Sequence, residues 1–314
     1  MQRFSHFPVP DDARGAVAAI GNFDGVHLGH RAVLQQIKTI ASTDTKTGVV
    51  TFEPHPRRYF AEAMGLPLPP FRLMDADTRA NKLELMELDT IFEVPFDAVL
   101  AALSPSEFCE HILVGDLGLS HVVVGADFRF GAGRAGDVDT LHQLGQKFGF
   151  GVTISDLEQL GDDTVSSTNI RRALADAQPR KAAKMLGHWH RIDGPVLHGE
   201  KRGRELGYPT ANMSLSDRHL PAFGVYAVTV DVLTGPDAGS YQGAASIGVR
   251  PMFGENTPNC ETFIFDFKGD LYGQTLSIGL VDFLRGEENF DSLDALILQM
   301  AADCTRAQHL LAGL

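Results

Sequence analysis

Two histidines separated by Leu28 and Gly29 close a run whose residue types suit a nucleotide: Gly21-Asn22-Phe23-Asp24-Gly25-Val26-His27-Leu28-Gly29-His30. An imidazole donates a hydrogen bond to a phosphate oxygen, more strongly when protonated. Gly21, Gly25 and Gly29 let the backbone turn tightly and bring N–H groups close to an anion. A later loop joins Asp127, Phe128 and Arg129 to Phe130, Arg134 and four glycines between 125 and 137. Its guanidinium groups suit phosphate and its rings suit a planar ligand, although each Phe taken singly also fits an ordinary core position. His55 stands between Pro54 and Pro56, which stiffen its loop. Ser167, Thr168 and Arg171 gather hydroxyls, free N–H groups and a guanidinium at one helix start. Capping accounts for one of those hydroxyls, not for the whole set.

The second half of the chain carries different chemistry. Gly199, Gly203 and Gly207 permit close backbone approach, and Lys201, Arg202 and Arg204 add positive charge. No GK[ST] opens a helix there, so this is not a Walker motif. Pro209 leads into Thr210-Ala211-Asn212, where an extended backbone points Thr210 and Asn212 to one face. Two neutral oxygens on one face suit Mg²⁺ with a phosphate completing its shell, or simply a polar strand end. Glu261 opens an apolar strand, either solvated or as a base.

The elements that must position these residues alternate through the first half. The apolar runs Ala16–Ile20, Gly48–Phe52, Thr90–Val94, Val122–Gly125 and Val152–Ile154 read as strands. Between them, Arg31–Ile37, Thr78–Leu88, Pro105–Leu113 and Leu141–Phe148 read as helices, with Ser104 and Pro105 as cap and first helical residue. Such alternation predicts a parallel sheet with helices on its faces, and ligands outside the carboxyl ends of the strands. A helix follows Val165, and a short one spans Ala182–Leu186. Beyond Gly187 the pattern turns β-rich: Val196-Leu197, Gly224–Leu233, Gln242–Val249, Thr262–Phe267 and Thr275–Phe283. Near-regular short strands predict a closed antiparallel barrel. Ser292–Ala312 reads as an amphipathic helix covering it through Leu293, Leu296, Ile297, Met300 and Ala301. The domains expected are 1–182 and 183–314.

Bulk composition sets the class. The 314 residues carry a formal charge of −13, with 44% hydrophobic and 21% charged residues. That balance fits an ordinary globular protein and argues against a general nucleic-acid binder, which needs a basic patch. Cys109, Cys260 and Cys304 are odd in number and widely spaced, so neither a disulfide framework nor a CxxC metal site is expected. The first residues lack a signal-peptide core, and no later run is long enough to span a membrane, which makes the cytoplasm the expected compartment.

Taken in order, these motifs resemble the bacterial bifunctional riboflavin kinase/FMN adenylyltransferase (FAD synthetase) family, over nearly the whole chain. The Gly21–His30 run is similar to the HxGH signature of nucleotidyltransferases in its flavin-specific form. Asp127–Gly131 and Ser166–Arg171 resemble that family's later adenylyltransferase motifs. Gly207-Tyr208-Pro209-Thr210-Ala211-Asn212 resembles the kinase module's PTAN signature, and Glu261 falls where that module has its catalytic base.

The resemblance implies a Rossmann-like α/β nucleotidyltransferase domain followed by an antiparallel β-barrel riboflavin kinase domain with a C-terminal helix. It implies that the barrel passes the γ-phosphate of ATP to the ribityl 5′-hydroxyl of riboflavin, giving FMN. The first domain would then join FMN to the α-phosphate of ATP, giving FAD and pyrophosphate. The expected catalytic residues are Glu261, His27, His30 and Arg171. Expected substrate-binding positions are Gly21, Phe23, Asp24, Gly25, Gly29, His55, Asp127, Phe128, Arg129, Ser167 and Thr168, then Gly199, Lys201, Gly203, Gly207, Pro209 and Arg250. Thr210 and Asn212 would hold Mg²⁺. The expected partners are ATP, riboflavin and FMN, with no nucleic acid and no membrane, for a monomer or weak homo-oligomer.

Ser246, Met252 and the Trp189-His190 pair depart from the family pattern, the last with little at stake. In Gly243–Gly254, Ser246 replaces a common Asn and Met252 a common Thr, while Arg250 and Pro251 remain. Altered loop contacts or substrate affinity are expected, with kinase activity retained. The alternatives are that only adenylyl transfer is efficient, or that the chain is a non-catalytic flavin binder.

Overall fold

The computed structural model describes residues 1–156, 158–161, 163–198, 206–215, 218–252 and 255–314, without the side chains of 250–252, 255 and 256. The chain divides into two compact units: Met1–Leu68 with Met74–Ser166, and Pro69–Leu73 with Ser167–Leu314.

Six strands of the first unit form one parallel sheet: β1 (Gln2–Phe4), β2 (Val17–Ile20), β3 (Thr47–Glu53), β4 (Thr90–Pro95), β5 (His121–Gly125) and β6 (Gly151–Ser155). Their order is β1-β4-β3-β2-β5-β6. Both faces are covered, which is why the strands read as unbroken apolar runs. Ala18, Ile20, Val50, Phe92, Val122 and Val124 face one core with Phe108, Leu113 and Leu141. Their neighbours Val17, Ala19, Val49, Ile91 and Val123 face the other with Leu34, Ile37 and Leu83. The α-helices of this unit are α1 (Leu28–Ile40), α2 (Pro56–Ala63), α3 (Ala76–Glu84), α4 (Ala98–Ala102), α5 (Pro105–Glu107) and α6 (Val138–Phe148); α1, α3 and α6 supply Leu34, Ile37, Leu83 and Leu141.

The Ser104 cap is present as a reciprocal box: Glu107 N donates to Ser104 Oγ at 3.3 Å, and Ser104 N donates to Glu107 Oε2 at 2.8 Å. Past Glu107 the expected α-helix winds instead as a π-helix, Phe108–Asp116. Its end is held from outside, because Arg14 donates to the carbonyls of Val114 and Gly115 at 2.8 and 2.9 Å. A two-residue hairpin, β7 (Gln159–Leu160) and β8 (Asp163–Thr164), closes the unit.

The second unit begins with α7 (Ser167–Ala175) and α8 (Pro179–Leu186). An antiparallel sheet follows: β9 (His190–Pro195), β10 (Thr210–Ser214), β11 (Gly224–Val232), β12 (Gly239–Met252), β13 (Glu255–Ile264) and β14 (Thr275–Arg285), in the order β10-β13-β12-β11-β14-β9. It curls into a half-barrel whose edge strands meet at one bridge, Leu197–Asn212, rather than along a full ladder. The strand expected at Val196-Leu197 therefore lies earlier, at β9, and Leu197 contributes only that bridge. Ile192, Val228, Val230, Ile247, Ile278 and Leu280 fill the concave core.

The last helix, α9 (Leu293–Leu311), covers the convex face, as expected, but through other residues. Ala307 and Leu311 pack on Ala227, Ala244, Val281 and Leu284, whereas Leu293 is exposed. The apolar positions of its first half misled the sequence reading. Asp303, one turn before Ala307, is buried because Arg285 meets it at 2.8 Å, and such a pair is invisible to hydropathy.

Candidate functional site

In the parallel sheet, β2 has β3 on one side and β5 on the other, so the strand order reverses there. The crevice at the carboxyl ends of β2 and β5 is the place where such sheets take ligands. The Gly21–His30 segment leaves β2 at that point, and the Asp127–Arg129 loop leaves β5.

The first loop is built tightly. Gly21 N donates to Val50 O at 3.0 Å, tying the segment to β3. Phe23, Gly25 and Val26 take left-handed backbone, with φ of 50°, 93° and 43°. For the two non-glycine residues this costs about 1–3 kcal/mol each. Burying both side chains beside Leu34 and Ile37 offsets that strain. Phe23 and Asp24 thus face inward: the Asp24 carboxylate is buried and accepts from Met74 N at 3.3 Å.

His27 caps α1. Its Nδ1 accepts from His30 N at 3.2 Å, so its proton sits on Nε2. The His27 and His30 rings stack with centroids 3.6 Å apart and planes 15° apart. A Cβ on Gly29 would come within 3.3 Å of the His27 ring, which leaves little space for a side chain there. Burial first, and the neighbouring His27 second, push the His30 ring well below the ordinary histidine range, so it stays neutral. Its Nδ1 is buried and has no hydrogen-bond partner among the described residues.

The β5 loop is pinned by Phe130, which pairs with Gly136 in an isolated bridge and is buried. Phe128 stacks on Phe130 at 5.5 Å, while Asp127 and Arg129 are exposed. Arg129 reaches Asp137 at 3.3 Å. His55 caps α2 by accepting from Arg57 N at 3.0 Å. Sequence reading missed a ring cluster on the flanking segments. Phe52, Tyr59 and Phe60 each stack edge-on against Phe96, at 5.4 to 5.9 Å, beside the carboxyl ends of β3 and β4. A period-two count could have found Phe52 as the last β3 ring, but nothing local points to Phe96.

Sequence reading also missed a buried charge cluster. Arg79 on α3 is fully buried, and its Nη2 lies 3.0 Å from Glu53 and 3.0 Å from Glu93. Truncating one member of such a set costs about 3–5 kcal/mol, because a buried charge loses its partner.

Ser167, Thr168 and Arg171 belong to the second unit, at the start of α7. Arg171 Nε donates to Phe71 O at 2.6 Å with the guanidinium 5.5 Å from the Phe71 ring, and the Arg171 carbonyl meets His219 Nε2 at 2.9 Å.

On the half-barrel, the ladder register makes Asn212, Glu261 and Ser246 neighbours across β10, β13 and β12. Ala211, Met213 and Cys260 turn into the concave core, so Asn212 and Glu261 lie on the convex face. Asn259, two residues before Glu261, donates from Nδ2 to Glu261 Oε1 at 3.2 Å. Strand periodicity would have put Asn259 beside Glu261, yet its type alone gave no reason to single it out. Asn212 Nδ2 reaches the Thr210 carbonyl at 3.4 Å. Gly207 turns with φ of 83° into exposed Pro209. Gly199, Lys201 and Gly203 lie outside the described residues, and of Arg250 only the backbone, in β12, is described. All three cysteines are free thiols. Burial raises Cys260 to about 11 and Cys109 to about 12.

Comparison with known proteins gives two family matches. Residues 9–169 match the family model described as FAD synthetase, and residues 186–311 match that of riboflavin kinase. The bifunctional riboflavin kinase/FMN adenylyltransferase of Pseudomonas fluorescens is 42% identical over 301 residues, 95% of this chain and 94% of that protein. Its counterpart in Escherichia coli K12 is 39% identical, covering 92% and 90%. That of Listeria monocytogenes is 35% identical, covering 96% and 95%. A crystal structure described as a macrolide-efflux protein from Streptococcus pneumoniae superposes with a TM-score of 0.80 at 30% identity, covering 92% of each chain. Among the described residues, no helix is long and apolar enough to cross a membrane.

Proposed function

The chain belongs to the bifunctional riboflavin kinase/FMN adenylyltransferase family, and on that premise we propose how its residues divide two reactions. Riboflavin is phosphorylated by ATP to FMN, and FMN is adenylylated by a second ATP to FAD. The observation that carries the division is the separation of two chemically unlike sites. One is a histidine pair at a helix start in the parallel-sheet unit. The other is a carboxylate flanked by amides on the half-barrel.

In adenylyl transfer an FMN phosphate oxygen attacks the α-phosphorus of ATP. A P–O bond forms, the bond to the β-phosphate bridge breaks, and pyrophosphate leaves. The attacking oxygen is already anionic, so no base is needed, and catalysis is positioning plus stabilisation of charge. His27 Nε2–H and the neutral His30 ring donate to phosphate oxygens at the N-terminus of α1, whose dipole favours an anion. Gly21, Gly25 and Gly29 keep side chains out of the phosphate path. Ser167, Thr168 and Arg171 hold the β- and γ-phosphates. Phe23 and Asp24 act from beneath, as anchors of the loop. His55, Asp127, Phe128 and Arg129, with the rings of Phe52 and Phe96, border the flavin and adenine ends.

Phosphorylation differs because an alcohol must lose a proton. Glu261 takes the proton from the riboflavin 5′-hydroxyl as that oxygen attacks the γ-phosphorus and ADP departs. Asn259 orients the carboxylate through Oε1. Thr210 and Asn212 offer hard oxygen donors on one face, the type Mg²⁺ takes, and would hold the ion; bound there, Mg²⁺ neutralises phosphate charge. Gly207 and Pro209 serve ATP and flavin binding in this unit, and the same role is assigned to Arg250 and to Gly199, Lys201 and Gly203, which lie outside the described residues. The functional boundary is placed at 182/183, the compartment is the cytoplasm, and the chain works as a monomer or weak homo-oligomer.

The test is a time course of riboflavin with Mg·ATP, with the flavins separated by chromatography. Transient FMN followed by FAD supports the full reading. If riboflavin is untouched while supplied FMN becomes FAD, the kinase assignment fails. That outcome would favour adenylyl transfer alone, the reading that Ser246 beside Glu261 keeps open.

A further inference from the structure

Arg79 has no part in the chemistry above, yet it is the largest fully buried side chain among the described residues. Its guanidinium meets three elements. Nη2 binds Glu53 at the end of β3 and Glu93 on β4, each at 3.0 Å, and Nη1 donates to the Asn22 carbonyl at 3.3 Å. The second oxygen of Glu93 accepts from Arg3 Nε at 2.5 Å. Arg3 Nη1 also meets Asp77 at 2.7 Å, so the linked charges are two cations and three anions.

Stability alone does not explain such a group, since a buried ion pair is often no better than an apolar packing of the same volume. Its distinguishing feature is where the third bond lands. Asn22 immediately precedes Phe23, the first of the left-handed residues that carry the chain from β2 to His27. Strained backbone persists only where its surroundings over-determine it. The Gly21 N–H bond to Val50 and the Asp24 bond to Met74 fix two points of this loop. Arg79 fixes a third, from the side of β3 and β4.

We propose that Arg79 is the positioning residue that sets the Gly21–His30 loop for adenylyl transfer, by clamping the Asn22 carbonyl to Glu53 and Glu93. This rests on reading the first unit as the adenylyl-transfer site. Arg79 touches no substrate; it acts through the loop that places His27 and His30. Its three contacts are single bonds rather than a bidentate fork, so an ammonium with three donors can make them too.

The experiment uses the full chain, measuring FAD formation from FMN and FMN formation from riboflavin in the same preparations. Arg79→Met is expected to lower kcat for adenylyl transfer about 100-fold, the scale of a misplaced site, and leave riboflavin phosphorylation within about twofold. Amide hydrogen exchange at Asn22–Gly25 should quicken in the same variant. Arg79→Lys should recover most of the lost kcat. Since Arg79→Met leaves carboxylates uncompensated and can unfold the unit, a second variant combines Arg79→Met with Glu93→Gln. It removes one charge of each sign, and Arg3 keeps Asp77, while Asn22 still loses its donor; the same loss of kcat is expected. A folded balanced variant that makes FAD within about twofold of the wild-type rate overturns the proposal, as does a folded Arg79→Lys that recovers nothing. A wild-type chain that makes no FAD from FMN overturns the functional reading and this inference with it.

Discussion

Ser246 lies directly across the β12–β13 ladder from Glu261, with Asn212 on the opposite flank of the same carboxylate. One of the positions where this chain departs from the family pattern is thus the immediate neighbour of the proposed base. A serine hydroxyl is shorter than the amide it replaces, so it reaches less far over the convex face. Ser246→Asn is expected to shift the KM for riboflavin several-fold and kcat by less than about threefold, since one hydrogen bond contributes about 0.5–1.5 kcal/mol. Steady-state kinetics of FMN formation check it, and an unchanged KM with a collapsed kcat would contradict it.

Glu261→Gln keeps the shape of the side chain and removes the base. Phosphorylation of riboflavin should fall by about 100-fold or more, while FAD formation from FMN stays at the wild-type rate. Asn259→Ala should give a smaller loss in the same reaction, because it removes the amide that meets Oε1 and leaves the carboxylate in place. If both reactions fall together in a folded Glu261→Gln protein, the two-site reading is in trouble.

The depressed His30 imidazole makes the first unit sensitive to acid. In the unfolded chain this ring takes a proton near its ordinary value of about 6.5, whereas burial beside His27 keeps it neutral in the fold. The unfolded state therefore binds more protons between the two values. Stability from this group is complete above about pH 6.5 and is lost as pH falls toward the folded value. His30→Gln should flatten that acid limb in thermal melts between pH 7 and pH 5. A wild-type limb unchanged by the substitution would rule the mechanism out. Adenylyl transfer should fall in this variant, with riboflavin phosphorylation spared.

Asp303 carries the packing of α9. Asp303→Ala would leave Arg285 without its 2.8 Å partner and remove the charge that Gln299 Nε2 also meets at 2.9 Å. A loss of about 2–4 kcal/mol is expected in urea unfolding followed on the second unit, against little change for an exposed site such as Leu298→Ala.

The sequence by itself determined a good deal of this protein. Unbroken apolar runs such as Val122–Val124 announced strands buried on both faces, and the change of pattern after Gly187 announced a second, antiparallel unit. Ser104 and Pro105 marked a helix start that is present as a capping box. The order of the His27–His30, Asp127–Arg129, Ser167–Arg171, Thr210–Asn212 and Glu261 motifs was enough to indicate the family. These features are local: periodicity, caps and spacing act over a few residues and leave their record in the string.

Only the tertiary structure decided which strands are neighbours. The order β1-β4-β3-β2-β5-β6 puts the reversal beside the histidine loop, and no local pattern encodes that order. The ladder register decided that Asn212, Ser246 and Glu261 stand side by side. Arg3, Glu53, Arg79 and Glu93 show the reason most plainly. Each reads alone as a solvated charge, and the burial of Arg79 and Glu93 becomes tolerable only when the fold brings opposite charges within about 3 Å across widely separated segments.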